Sequence, residues 1–587
     1  MSIKPQYCLF FLSIILQFFL AGYIFGDSKF SIKYDCNQIS FKYAKDDKSL
    51  PDLKKLSLTE VDLSFSAQPI ALSGLISLSS EIYQLNLRDL HLLAEVPMQY
   101  LKSLGYEGIV VFPDPKQIDP VSGVDLREGE LGLTFLIWVS NLEDIEIQNA
   151  GIDPKVSDRV RSEIKSNPIG SELIGKPIMA ESLKYWKRFG KNPSRNVQVV
   201  LSPSDTPGNV ISVLKLLPVN KERFILQAAN SGTESTGEWL IGGSYQNNQM
   251  SGNDDKLGIT YFSSDTQEVQ SFGISYEKPI IFPDFLMGGV SAGYSKYDAS
   301  SFAVTHFNFK GDTKFIELNT KWNPLGTEFK KHSFSFIAGL RGEETTASNS
   351  LVSGRADAKL LIPKFSALFS TKGRYFQTET KATISANIRS INSESQTLLG
   401  GIQTESRYSR ISINYLEFFQ IGKWAKDKFG GEFSDGMKDH ILISRMQGGL
   451  ALKNQRHLPQ HQFITGGSGS VRGYPESPIA GDSGYVLSLE YRAPLPPIKI
   501  QEDLPDVKGT LVPFLDWGET FVNDPLYYEG DQSIIGAGVG LELKFPVGAT
   551  ARIDFAKPLR EINNYGSILP GTRSSDNRVH AMLRWEF

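Results

Sequence analysis

The residues best suited to chemistry in this chain are one arginine in a glycine-rich segment and one aspartate in a distant strand-like run. In Gly466-Gly467-Ser468-Gly469-Ser470-Val471-Arg472-Gly473-Tyr474, glycines on both sides of Arg472 let the chain turn tightly and project a permanently charged, five-donor guanidinium. Such a group needs a carboxylate. Asp516, in Phe514-Leu515-Asp516-Trp517-Gly518, is the candidate, because a polar position on a strand could meet an inward-folded loop through a charge-assisted pair. Gly481-Asp482 and the strand-like run 485–494, which includes Glu490, follow the loop. The chemistry of this set is that of a lock rather than a catalyst. Taken alone, the same segment is also compatible with an exposed Arg in a surface turn.

Other motifs with chemical potential lack their context. Gly536-Ala537-Gly538-Val539-Gly540 resembles a nucleotide loop, but it continues into alternating strand residues and no Walker-type lysine follows. His457 and His461 have helical spacing, yet Pro459 lies between them and no HExxH pattern occurs, so they read as surface or lumen histidines. No Gly-x-Ser-x-Gly elbow is present. The expectation is a protein that is not an enzyme, with no cofactor and no metal.

A chain of 587 residues, 40% hydrophobic and 21% charged, exceeds one compact domain. Its 61 Lys and Arg against 65 Asp and Glu give a net charge of −4, so there is no basic field to attract nucleic acid. With 52 glycines and 11% aromatics, the composition suits strands and turns. Residues 1–26 carry a lone Lys4 and then an apolar run over 8–25, which reads as a signal peptide, with a membrane anchor as the rival. Cys8 would leave with that peptide, so Cys36 has no internal disulfide partner.

Downstream of the leader, 27–57 reads as an irregular or strand-like N-terminal extension. From 58 to about 218 helical and strand patterns mix. Asn86 is placed to cap a helix through Leu90, Leu93 and Met98 that Gly105 stops, and 109–112 with 133–139 suggest a strand pair. A second unit repeats the plan, with strand residues 145–147, helices over 158–166 and 180–189, and a hairpin of 197–201 with 210–217. The expected modules are 58–140 and 141–219, each a small α+β unit.

From 224 to 587 helical periodicity gives way to alternation. Phe334, Phe336, Ala338 and Leu340 share one face, as do Ala382, Ile384, Ala386 and Ile388, while Ser335, Thr383, Ser385 and Asn387 occupy the other. No second run approaches the ~20 apolar residues of a spanning helix, so a membrane domain here must be a closed barrel, greasy outside and polar inside. The span has room for sixteen antiparallel strands. The last strand is the clearest, with Val579, Ala581, Leu583, Trp585 and Phe587 alternating against Arg578, His580, Arg584 and Glu586.

The Val471-Arg472-Gly473-Tyr474 loop together with Phe514-x-Asp516-x-Gly518 resembles the outer-membrane protein 85 superfamily, specifically two-partner secretion transporters of the hemolysin secretion/activation type. The resemblance extends to Asn230-Ser231-Gly232 and Thr236-Gly237, similar to the family's first-strand motif, to a terminal Trp585 and Phe587 similar to its assembly signal, and to two polypeptide-transport-associated (POTRA) domains over 89–117 and 192–208. It implies that the loop lies inside the barrel with Arg472 on Asp516. Two departures stand out. Ala229 replaces the Asp that usually precedes Asn230, and 27–56 does not resemble the pore-plugging helix of many members.

What the resemblance implies is an outer-membrane pore with periplasmic POTRA domains that recognise an unfolded, β-helical exoprotein client and export it without local ATP. The implied partners are that client, the barrel assembly machinery that reads the C-terminal strand, and outer-membrane lipid. Two alternatives remain at this point: a factor that inserts other barrels, and a passive porin.

Overall fold

The computed structural model describes residues 32–587 except 46, 48, 67, 167–172, 234–235, 303–306, 325–331, 350–351, 400–402, 432–435, 500–504, 527–528 and 563–575. The expected signal peptide lies outside the described residues. The chain divides into two compact units, Met1–Val219 and Asn220–Phe587.

The first unit contains two three-stranded sheets of the same design. One takes the order β1 (Gln38–Tyr43), β3 (Gly132–Val139), β2 (Ile109–Pro113); β1 runs parallel to β3, and β2 antiparallel to it. The other takes the order β4 (Asn141–Asn149), β6 (Asn209–Pro218), β5 (Arg195–Pro203), again with the first strand parallel and the middle one antiparallel to the central last strand. Helix α1 (Leu87–Ser103) covers the first sheet, and α2 (Pro154–Ser166) and α3 (Ala180–Lys187) belong to the second.

α1 begins where its sequence says it should. Asn86 Oδ1 accepts from the Asp89 N–H at 3.0 Å, and Asp89 Oδ2 accepts from the Asn86 N–H at 2.9 Å, which closes a capping box worth about 1 kcal/mol. The other Asp89 oxygen receives the Ser64 N–H at 2.7 Å, tying the helix start to the preceding loop. Leu90, Leu93 and Leu101 then turn inward onto Tyr34, Ile39 and Phe135.

Residues 27–31 lie outside the described residues, and 32–57 are not an extension outside the module. β1 supplies an edge strand of the first sheet, Tyr34–Cys36 pairs with Tyr83–Leu85, and Leu53–Leu58 forms a 3-10 turn, so the module's sheet begins well before residue 58. The partner of β1 is a parallel strand some 94 residues downstream, a pairing that local alternation does not reveal. Only Ser140 separates β3 from β4. The two modules are further joined by Glu107 N–H to Ile178 C=O and Ala180 N–H to Gly105 C=O, each 2.8 Å, and by the Trp138 ring packed against Gly208.

The second unit is a closed barrel of sixteen antiparallel strands in chain order. These are β7 (Glu222–Ala229), β8 (Leu240–Asn247), β9 (Lys256–Ser264), β10 (Val269–Ile281), β11 (Leu286–Phe302), β12 (Phe307–Trp322), β13 (His332–Asn349), β14 (Val352–Lys372), β15 (Phe376–Ala386), β16 (Ser409–Phe419), β17 (Ile441–Ala451), β18 (Ser483–Pro494), β19 (Lys508–Phe521), β20 (Gln532–Lys544), β21 (Ala549–Pro558) and β22 (Arg578–Glu586). Faces alternate as expected: on β12, Ile316 (57% exposed) and Leu318 (59% exposed) point outward while Glu317 lines the lumen. Among the described residues no helix is long and apolar enough to cross a membrane, and the strands do the crossing.

Closure rests on β7 pairing with β22, from Ile225 opposite Glu586 to Ala229 opposite Met582. Side chains reinforce this short seam at both ends. Asn230 Nδ2 donates to Val579 C=O at 2.8 Å and its Oδ1 accepts from the Ala581 N–H at 2.6 Å. At the other end, the Phe224 and Phe587 backbones exchange two bonds, their rings stack at 5.6 Å, and Arg223 pairs with Glu586. We call the rim where β7 starts and β22 finishes the proximal rim; the β17–β18 connection lies at the distal rim.

Candidate functional site

The β17–β18 connection is the long loop over residues 452–482, and its tip occupies the lumen. Arg472 is 4% exposed and Asp516 fully buried. Arg472 Nε and Nη2 donate to the two Asp516 oxygens at 2.7 and 2.8 Å, and the Arg472 backbone N–H adds a third bond at 3.1 Å. This is a bidentate fork, the strongest arrangement a guanidinium and a carboxylate adopt. Ser488 orients the acceptor by donating to Asp516 Oδ1 at 2.7 Å, and the Phe514 ring lies 3.5 Å beneath the guanidinium carbon.

The lock is larger than a pair. Arg472 Nη1 also reaches Glu490 Oε1 at 2.7 Å and Asp554 Oδ2 at 3.3 Å. Arg552 bridges those same acids, at 2.9 Å to each. Arg445 approaches Glu490 at 3.3 Å, and Arg492 joins Glu490 to Glu542. Four carboxylates thus face four guanidiniums, and this balance lets the buried members, Arg472, Asp516, Glu490 and Asp554, sit out of bulk water. The sequence reading named Arg472, Asp516 and Glu490. Asp554 and Arg552 were missed, although Arg552 and Asp554 fall two apart on one face of β21, as lumen positions do.

The neighbours of Arg472 hold the tip against the remaining wall. Val471 and Tyr474 are fully buried with Ile479, Val486 and Ile534. The Tyr474 hydroxyl donates to Ile535 C=O at 2.9 Å and touches Arg560, and the Gly473 N–H donates to His580 Nε2 at 3.3 Å. Gly473 has φ of +96°, and a Cβ there would lie 2.8 Å from the Lys557 carbonyl carbon, so both conformation and space require glycine. Gly536 faces the Arg472 carbonyl so closely that any side chain would collide with it. That contact accounts for the start of the glycine run that resembles a nucleotide loop. Gly518 lies under Val471, where a Cβ would stand 3.0 Å from its methyl. The tip therefore touches β18 through β22, five consecutive strands ending at the seam.

The remaining predicted residues sit elsewhere. Asn230 is part of the seam. Gly232 and Gly237 shape the turn after β7, with the Gly232 N–H donating to Glu238 C=O at 2.9 Å and Gly237 at φ of +98°. Trp585 and Phe587 are exposed on the outer face at the proximal rim, with Trp585 Nε1 donating to Val547 C=O at 2.9 Å.

The beginning of the loop is moored to the opposite wall. His461 Nε2 lies 3.3 Å from Glu343 Oε1 of β13, Arg410 of β16 donates to His461 C=O at 2.8 Å, and Tyr408 packs between the His457 and His461 rings. Leu458 fills a small apolar nest of Ala347, Ala356, Ala358 and Leu399. These histidines are loop anchors, His457 fully buried and His461 partly so, and among the described residues no cluster suited to a metal ion occurs. Cavities of about 390 and 710 Å³ lie on either side of this strap, one against β7 and β22, the other against β12 to β16. Glu343→Ala is expected to free the start of the loop at a cost of about 2 kcal/mol. Faster protease cleavage between 452 and 462 in an otherwise heat-modifiable barrel would register it.

The sixteen-strand closed wall, its lipid-suited outer face and the charged loop inside define a transmembrane β-barrel of an outer membrane. The chain matches the Omp85 superfamily domain over residues 249–575, more than half its length, and it belongs to the Omp85 superfamily. No curated protein sequence matches it. Among solved structures it is similar to CdiB from Escherichia coli (14% identity, 100% of this chain and 99% of that one, TM-score 0.60) and to CdiB from Acinetobacter baumannii (14%, 100% of each chain, TM-score 0.56). BamA from Haemophilus ducreyi lacking POTRA domains 1-3 is also similar (13%, 94% of this chain and all of that one, TM-score 0.53).

Proposed function

We propose that this protein is a two-partner secretion transporter: an outer-membrane pore that receives an unfolded exoprotein in the periplasm and passes it outward. The observation that carries this reading is the pairing of two, and only two, α+β modules among the described residues with a barrel whose lumen is strapped by a charged loop. In this reading the modules are periplasmic POTRA domains. Each offers sheet edges, β1 and β2 in one and β4 and β5 in the other, where an extended client segment can add as a strand. Passage needs no local ATP if the client folds, as a β-helix, only after it emerges. The chain then acts without enzymatic chemistry or a cofactor, and its terminal Trp585 and Phe587 serve the machinery that assembles it.

A barrel-insertion factor is the second reading, supported by the likeness to BamA. The two are separated by co-producing this chain, in a heterologous host, with a candidate β-helical exoprotein from the same genome. The expected outcome is exoprotein in the medium only when this chain is present, with other outer-membrane barrels at normal levels. Retention of the exoprotein in the periplasm, or a general rise in barrel insertion, would overturn the secretion reading.

A further inference from the structure

The connection between β16 and β17 is at the proximal rim and contains α4 (Ile421–Phe429). One side of this helix is covered. Gly422 and Ala425 are buried, and the Gly422 N–H donates to His440 C=O at 3.3 Å on the returning segment. The rest is exposed, including Lys423, Lys428 and two aromatics, Trp424 and Phe429, the latter 71% exposed.

These aromatics continue a row that starts on the barrel wall. Phe419, the last residue of β16, lies on the face opposite the lumen-lining Ser412 and Asn414, directly across from Phe376 of β15. The Trp424 ring is 6.1 Å from Phe419, and Phe429 stands edge-on to Trp424 at 5.6 Å. The helix is also kept from rolling: Asp427 accepts from Tyr375 at 2.8 Å and pairs with Arg374 at 2.6 Å, both in the neighbouring turn. That pairing occupies the helix's single acid, and of its three lysines, Lys423, Lys426 and Lys428, the first and last form a cationic fringe beside the rings.

We propose that α4 is an interfacial anchor. Trp424 and Phe429 enter the boundary between headgroups and acyl chains of the proximal leaflet, and Lys423 and Lys428 engage the phosphates of anionic phospholipid. The occupant is the bilayer, because the aromatic row is continuous with the lipid-facing wall and the fringe complements acidic headgroups. The proposal rests on the barrel and not on the secretion reading.

A bimane label on Phe429→Cys, in the full chain with Cys8 and Cys36 replaced by Ala, tests it in vesicles of phosphatidylethanolamine with phosphatidylglycerol. Strong quenching by doxyl-labelled acyl chains is expected, with weak quenching by aqueous iodide relative to the same label on Val121→Cys, an exposed site in the first unit. Adding Lys423→Gln and Lys428→Gln should lower lipid quenching about twofold, with no such change when phosphatidylcholine replaces the anionic lipid. Heat modifiability verifies that each barrel is folded. Iodide quenching at 429 equal to that at 121 would overturn the anchor, and quenching indifferent to phosphatidylglycerol would overturn the role of the lysines.

Discussion

Asp516→Ala should leave the barrel closed but release the loop tip, giving larger and noisier single-channel currents in planar bilayers and impaired client export. The substitution removes three bonds from Arg472, two to side-chain nitrogens and one to its backbone N–H. Stranding a buried guanidinium in this way costs ~3–5 kcal/mol in a dry site. Glu490 and Asp554 still face Arg472, which also borders an open cavity, so about 2–3 kcal/mol is the expected loss. Arg472→Lys should fall between wild type and Arg472→Ala, because an ammonium cannot reproduce the fork. The double variant Arg472→Ala, Asp516→Ala should be less than additive, since the two groups act as one unit. Wild-type conductance and export in Arg472→Ala would show that the lock has no role in transport.

Deleting residues 32–219 should have the other large effect: export falls to background while the remaining barrel still inserts and remains heat-modifiable. The barrel closes on its own residues, from Glu222 to Phe587. In the secretion reading, a client then meets a pore with no sheet edge to receive it. A shorter deletion starting at residue 58 is predicted to behave less cleanly, because it leaves β1 without β3 and exposes an apolar remnant that includes Ile39. Export at normal levels by the barrel alone would refute a receiving role for the modules.

Some of this is legible in the sequence alone. The start of α1 could be read from Asn86, because a cap is a contact over three residues and local sequence contains it, whereas the reciprocal bond from Asp89 appears only in the structure. The Arg472–Asp516 pair was legible through its motif, and the alternation on β22 through its period of two. Asp554 and Arg552 were not, because alternation reveals which face a residue occupies but not which strands become neighbours. Arg472 meets Asp554 across 82 residues only once the wall has curved round. β1 failed for a related reason, as a short parallel edge strand whose partner is far along the chain. The double mooring of the loop depends on the width of the lumen, which no window of residues encodes.

A single residue, Ser140, separates the two sheets of the first unit, and contacts on both sides of it splint the joint. In the secretion reading, an extended client lying along one sheet reaches the next at a set spacing and angle, with no slack linker to be ordered first. Two weak grips then act as one bivalent hold: avidity rises without a tighter contact at either place, and letting go of one sheet leaves the passenger within reach of rebinding.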